Sequence, residues 1–92
     1  MKTVHVRVIN EVGLHARTAA VFAAEAARFV STIRVRSLTR DGAWVDAKSI
    51  LTVLTLGVEQ GHEIEITAEG PDEAEAASAL ETLIGTDFAG RL

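Results

Sequence analysis

The chain has 92 residues, 48% hydrophobic and 24% charged, with nine Lys and Arg against thirteen Asp and Glu for a formal charge of −4. That length allows a single domain, 1–92; the composition is too apolar for a disordered chain, and the acidic balance argues against a nucleic-acid protein held by phosphate contacts. The lack of cysteine excludes a disulfide framework, a thiolate zinc site and a cysteine nucleophile, and no long apolar run or secretory pattern is present, so a cytoplasmic domain without membrane insertion is expected.

In Lys2–Ile9, Val4, Val6 and Val8 alternate with His5 and Arg7, as in a half-buried strand. A loop follows at Asn10–Gly13. From Ala16 to Val30 the period becomes helical: Ala19, Phe22, Ala26 and Phe29 form an inward stripe, with Glu25 and Arg28 expected outward as a pair. Alternation returns over Thr32–Arg36. Arg40-Asp41-Gly42 supplies a turn, with Gly42 as its left-handed residue, and Ala43–Val45 returns as a short strand. Ser49 is a good N-cap and Gly57 a stop, so Ile50–Leu54 reads as a short helix despite its β-branched content. Glu63–Ala68 is a strand. Pro71, Asp72 and Glu73 suit the start of a last helix whose inward stripe is Ala76, Ala77, Leu80, Leu83 and Ile84, ending near Gly85. The tail, 86–92, has no usable pattern. The order βαββαβα predicts an α+β fold, an open-faced β-sandwich of one four-stranded antiparallel sheet with three helices on one face.

Neither a dinucleotide nor a P-loop motif is written in the chain, no His pair has zinc-ligand spacing, and no serine sits in a nucleophile elbow, so no cofactor or metal is expected. Of the three histidines, His5 falls on a polar strand face as a solvated residue, and His62 shares the phase of Ile64 at a strand start. His15 differs in its address, the junction between a Gly13 loop and a helix whose first N–H groups lack intrahelical partners and whose dipole favours anions. Arg17 adds a guanidinium fork, and Gly13 would let backbone approach a ligand closely. Nucleophile, anion cradle and cationic clamp together suit phosphoryl transfer to a histidine. A histidine at this place can equally be a cap or a surface residue.

Gly13-Leu14-His15-Ala16-Arg17-Thr18-Ala19 resembles the active-site segment of the histidine-containing phosphocarrier (HPr) family of the bacterial sugar phosphotransferase system. The run from Asp46 through Lys48-Ser49-Ile50-Leu51 to Leu56-Gly57 resembles that family's second signature, and the likeness spans nearly the whole chain. The resemblance implies that enzyme I, charged from phosphoenolpyruvate, phosphorylates His15 at Nδ1, that Arg17 and the backbone of Ala16 and Arg17 steady the phosphoryl group, and that enzyme IIA components receive it. It also implies regulatory phosphorylation of Ser49 by an HPr kinase/phosphorylase, a link to a carbon-regulatory transcription factor, and docking through Lys48, Ile50, Leu51 and Leu54. A helix this short cannot turn Ile50, Leu51, Val53 and Leu54 all inward, which independently predicts exposed apolar surface. Such a protein is a carrier rather than an enzyme. A nitrogen-related phosphorelay variant, or a small-molecule-binding regulatory domain with an incidental His15, are the alternatives. Two departures stand out: Thr18 replaces the family's usual Pro, which would preset the backbone of the first turn, and the connection around Leu38-Thr39-Arg40 is a few residues longer.

Overall fold

The computed structural model describes residues 1–90, with side chains through Phe88; residues 91 and 92 of the patternless tail lie outside it. Four strands, β1 (Lys2–Arg7), β2 (Thr32–Ser37), β3 (Val45–Asp46) and β4 (Glu63–Glu69), form one sheet in the order β1-β4-β2-β3, and every neighbouring pair is antiparallel. Helices α1 (Ala16–Ala27), α2 (Ile50–Leu54) and α3 (Glu73–Gly85) cover one face, as the alternation predicts. Ile33, Val35, Ile64, Ile66 and Ala68 point from the sheet into the core, where they meet Phe22, Ala26, Val53, Leu80 and Ile84 from the helices. The tail adds a short 3-10 turn, Asp87–Gly90, which buries Phe88 completely.

The open face of the sheet is polar. His5 Nε2 lies 2.6 Å from Glu65 Oε2, Arg36 Nε donates to Glu65 Oε1 at 2.7 Å, and the Arg36 guanidinium lies over the Trp44 ring, 4.8 Å from its centre. His5 is therefore paired across strands rather than merely solvated. The bonds from His5 and Arg36 hold the Glu65 carboxyl below its ordinary value.

Four local expectations are corrected. Glu25 is buried, because it lies three residues after Phe22 and four before Phe29, on the stripe that faces inward; Arg28 Nη1 reaches it at 3.1 Å from an exposed position. Helix α1 stops at Ala27 because the Asp72 carboxylate accepts the N–H groups of Val30 at 2.9 Å and Ser31 at 3.0 Å, drawing that segment out of the helix. Asp72 makes no side-chain cap bond to α3; the bonds from the Ser31 hydroxyl and the Val30 N–H hold its carboxyl below the ordinary range. In the β2–β3 turn the left-handed residue is Asp41 (φ 51°), not Gly42, and the returning strand lies slightly later than expected, at Val45–Asp46.

Candidate functional site

The loop from β1 to α1 is built on the backbone that leads into β4. Gly13 has φ +63°, and a Cβ there would lie 2.3 Å from the Val58 carbonyl oxygen and 2.6 Å from Glu59 Cα. The adjacent Leu14 N–H donates to the Val58 carbonyl at 3.0 Å, and the Leu14 side chain is buried. The glycine is thus required for close approach of two chain segments. Asn10 closes the loop from within: its Nδ2 donates to the Gly13 carbonyl at 2.7 Å, and its backbone carbonyl accepts from the Gly13 N–H at 3.2 Å.

His15 is exposed at the N-cap of α1 with extended backbone (φ −88°, ψ −173°). Its carbonyl accepts the first helical bond, from Ala19 N–H at 2.7 Å. Among the described residues the N–H groups of Ala16 and Arg17 have no acceptor, leaving the positive end of the helix open. Thr18 is fully buried beneath this turn. Its Oγ1 donates to the Gly13 carbonyl at 2.6 Å and accepts from the His15 N–H at 3.0 Å. One hydroxyl therefore joins the backbone on both sides of Leu14. Where a proline would restrict the turn covalently, this chain restrains it by hydrogen bonds, an effect visible in sequence only as the presence of a hydroxyl.

His15 and Ala16 form one side of a cleft of about 350 Å³ whose other walls include Leu54, Gly57, Glu59 and Arg40. Arg40, from the β2–β3 connection, and Glu59 are cleft residues that sequence reasoning missed; nothing local in the sequence links Arg40 to a histidine 25 positions earlier. Arg17 is exposed in the first turn and makes no ion pair among the described residues. On α2, Val53 is buried while Ile50, Leu51 and Leu54 remain 43%, 77% and 37% exposed, which is the apolar surplus expected of so short a helix. Ser49 caps α2, its Oγ accepting from the Thr52 N–H at 3.4 Å. Lys48 lies elsewhere: its Nζ donates to the Phe29 carbonyl at 2.7 Å, beyond the far end of α1. Twelve residues of helix separate that end from His15, about 18 Å at the usual rise. Among the described residues no cluster of side chains could hold a metal ion, and no helix is long and apolar enough to cross a membrane.

This arrangement has close counterparts. The chain is 46% identical to the phosphocarrier protein HPr of Treponema pallidum over 90% of its own length and 91% of that protein's. It is 50% identical to a multiphosphoryl transfer protein of Vibrio cholerae over 80% of its own length, but spans only 18% of that larger protein. Among solved structures, HPr-C-His from Thermoanaerobacter tengcongensis superimposes with a TM-score of 0.90 at 44% identity, covering all of both chains. A phosphocarrier protein HPr from Bacillus anthracis gives 0.83 at 40% identity, over 90% of this chain and 95% of that one. The family description "PTS HPr component phosphorylation site" matches residues 2–86, and with both signatures set in the HPr fold, the chain belongs to the HPr family of the phosphotransferase system.

Proposed function

We propose that this chain is a cytoplasmic phosphoryl carrier that accepts a phosphoryl group from enzyme I on His15 and passes it to enzyme IIA components, without turnover of a small molecule of its own. The observation that carries this reading is the exposed His15 at an open helix N-terminus, beside a cleft that Leu54 of the apolar α2 face also lines. In the transfer, a lone pair on the His15 ring, at Nδ1 by family likeness, attacks phosphorus as the bond to the donor breaks and its electron pair leaves with the donor. The N–H groups of Ala16 and Arg17 and the Arg17 guanidinium face the charge that develops on the phosphoryl oxygens. Ile50, Leu51 and Leu54 supply the apolar contact for partner proteins, with Lys48 at the distant margin of that surface. Ser49 sits at the start of the same helix; phosphorylation there by an HPr kinase/phosphorylase adds negative charge to the docking face and weakens binding of an acidic partner, giving a carbon-regulatory transcription factor a distinct form to read.

Incubation with phosphoenolpyruvate and enzyme I should add one acid-labile phosphoryl group by intact-mass spectrometry. His15→Ala should remain unmodified, and Arg17→Ala should fold normally but transfer more slowly. An unlabelled wild type, or equal labelling of His15→Ala, overturns the carrier reading. Ser49→Asp should bind enzyme I more weakly, and equal affinity would remove the electrostatic account of Ser49.

A further inference from the structure

We infer that Arg40 is a second cationic contact for the phosphoryl group on His15, supplied by the extended β2–β3 connection. The inference rests on the carrier reading for its anion, but its structural grounds are separate. The root of Arg40 is fixed: its N–H donates to Ser37 Oγ at 3.0 Å, the preceding Thr39 Oγ1 accepts from Glu63 N–H at 2.8 Å, and Leu38 N–H donates to the Glu63 carbonyl at 2.8 Å. From this anchored loop the side chain lies over Gly57. A Cβ on Gly57 would be 3.5 Å from Arg40 Nε and 3.6 Å from its Cζ, ordinary contact distances that place the guanidinium directly against this position. Gly57 itself has φ +62°, the left-handed conformation that ends α2.

The guanidinium placed there has no hydrogen bond or ion pair among the described residues. Two carboxylates are close at hand, Asp41 next in sequence and Glu59 on the same cleft, and neither pairs with it. His15 lines the same cleft. A cleft of about 350 Å³ corresponds to a sphere about 9 Å across, which a phosphoryl group and an arginine fork can bridge. A phosphoryl group brings between about one and a half and two negative charges and three acceptor oxygens at neutral pH, a match for a planar fork of N–H donors. It would also sit near the Glu59 carboxylate, and Arg40 offsets that repulsion. Arg17 approaches from the helix turn and Arg40 from the loop, so the phosphoryl oxygens are met from two elements rather than one.

The test loads His15 chemically with phosphoramidate, so that it does not depend on enzyme I. The ring of phospho-His15 is then titrated by NMR in wild type, Arg40→Ala and Arg40→Lys. Loss of the Arg40 charge from the cleft should let the ring protonate at a pH higher by roughly 0.3–0.5 in Arg40→Ala, with Arg40→Lys close to wild type. With phosphorylated enzyme I as donor, kcat/KM for Arg40→Ala should fall about three- to fivefold, the scale of an exposed charge contact, at an unchanged melting temperature. An identical ring titration in Arg40→Ala and wild type overturns the inference, even if transfer slows, because the arginine would then be serving the partner rather than the phosphoryl group. A wild type that takes phosphoryl from phosphoramidate but not from enzyme I overturns the carrier reading and leaves the titration to decide Arg40 by itself.

Discussion

Replacing Thr18 with Val exchanges a hydroxyl for a methyl at a position with no solvent exposure, so it changes bonding and hardly changes volume. The wild-type hydroxyl donates to the Gly13 carbonyl at 2.6 Å and accepts from the His15 N–H at 3.0 Å. In the variant the Gly13 carbonyl keeps Asn10 Nδ2 at 2.7 Å, so one of its two bonds survives. The His15 N–H loses its acceptor but sits on an exposed residue where water can partly replace it. Two net bonds of ordinary strength, partly compensated, amount to about 1–2 kcal/mol. For a domain of this size that lowers the melting temperature by roughly 4–16 °C. Thermal unfolding followed by circular dichroism measures the loss, and native-state hydrogen exchange at the His15 amide locates it. Thr18→Ser is the control: deleting a buried methyl also costs about 1 kcal/mol, yet it keeps the hydroxyl and should keep the His15 amide protected. A Thr18→Val protein melting within about 2 °C of wild type, with unaltered His15 exchange, would refute the argument that the hydroxyl holds this loop.

Gly13→Ala should cost about 2–5 kcal/mol in urea unfolding, combining a left-handed backbone with a Cβ 2.3 Å from the Val58 oxygen, and a loss under about 1 kcal/mol would contradict that contact. Leu51→Asp changes a residue that is 77% exposed, so the melting temperature should stay within about 4 °C of wild type, while KM for phosphoryl transfer from enzyme I should rise about tenfold or more. An unchanged KM would take Leu51 out of docking. Asp72 has a lowered carboxyl pKa in the folded chain, so its bonds to Val30 and Ser31 contribute stability that is present above the ordinary value of 3.8 and lost as pH falls through the lowered one. Asp72→Asn should therefore be less stable than wild type at pH 7 and converge with it in strong acid; parallel melting curves across that range would count against the assignment.

The strands and the sheet's inward face were legible because alternation is a local signal, and the α2 surplus followed from counting apolar residues against a helix of five. The His15 segment was legible because its residues are contiguous. What escaped was carried by partners far apart in sequence. Asp72 ends α1 from 41 residues beyond Ser31, and Arg40 enters the His15 cleft from the β2–β3 connection. Phe88 fills the core through left-handed backbone at Asp87 and Phe88 (φ 53° and 61°), a conformation that those residue types do not advertise. Glu25 was a different kind of miss, since its spacing already placed it with Phe22 and Phe29, and only its charge argued for the surface.

The dependence of the Gly13-Leu14 loop on Val58 has a consequence for chains that are incomplete. The histidine signature is synthesised before its support, since the carbonyl that accepts from Leu14 and the backbone against which Gly13 rests come more than forty residues later. A nascent or truncated chain ending before Val58 carries every letter of the signature and lacks the surface that shapes it. The shape of the His15 segment therefore depends on a contact between parts of the chain that are distant in sequence. The letters of the signature are local, and the shape they take belongs to the whole fold.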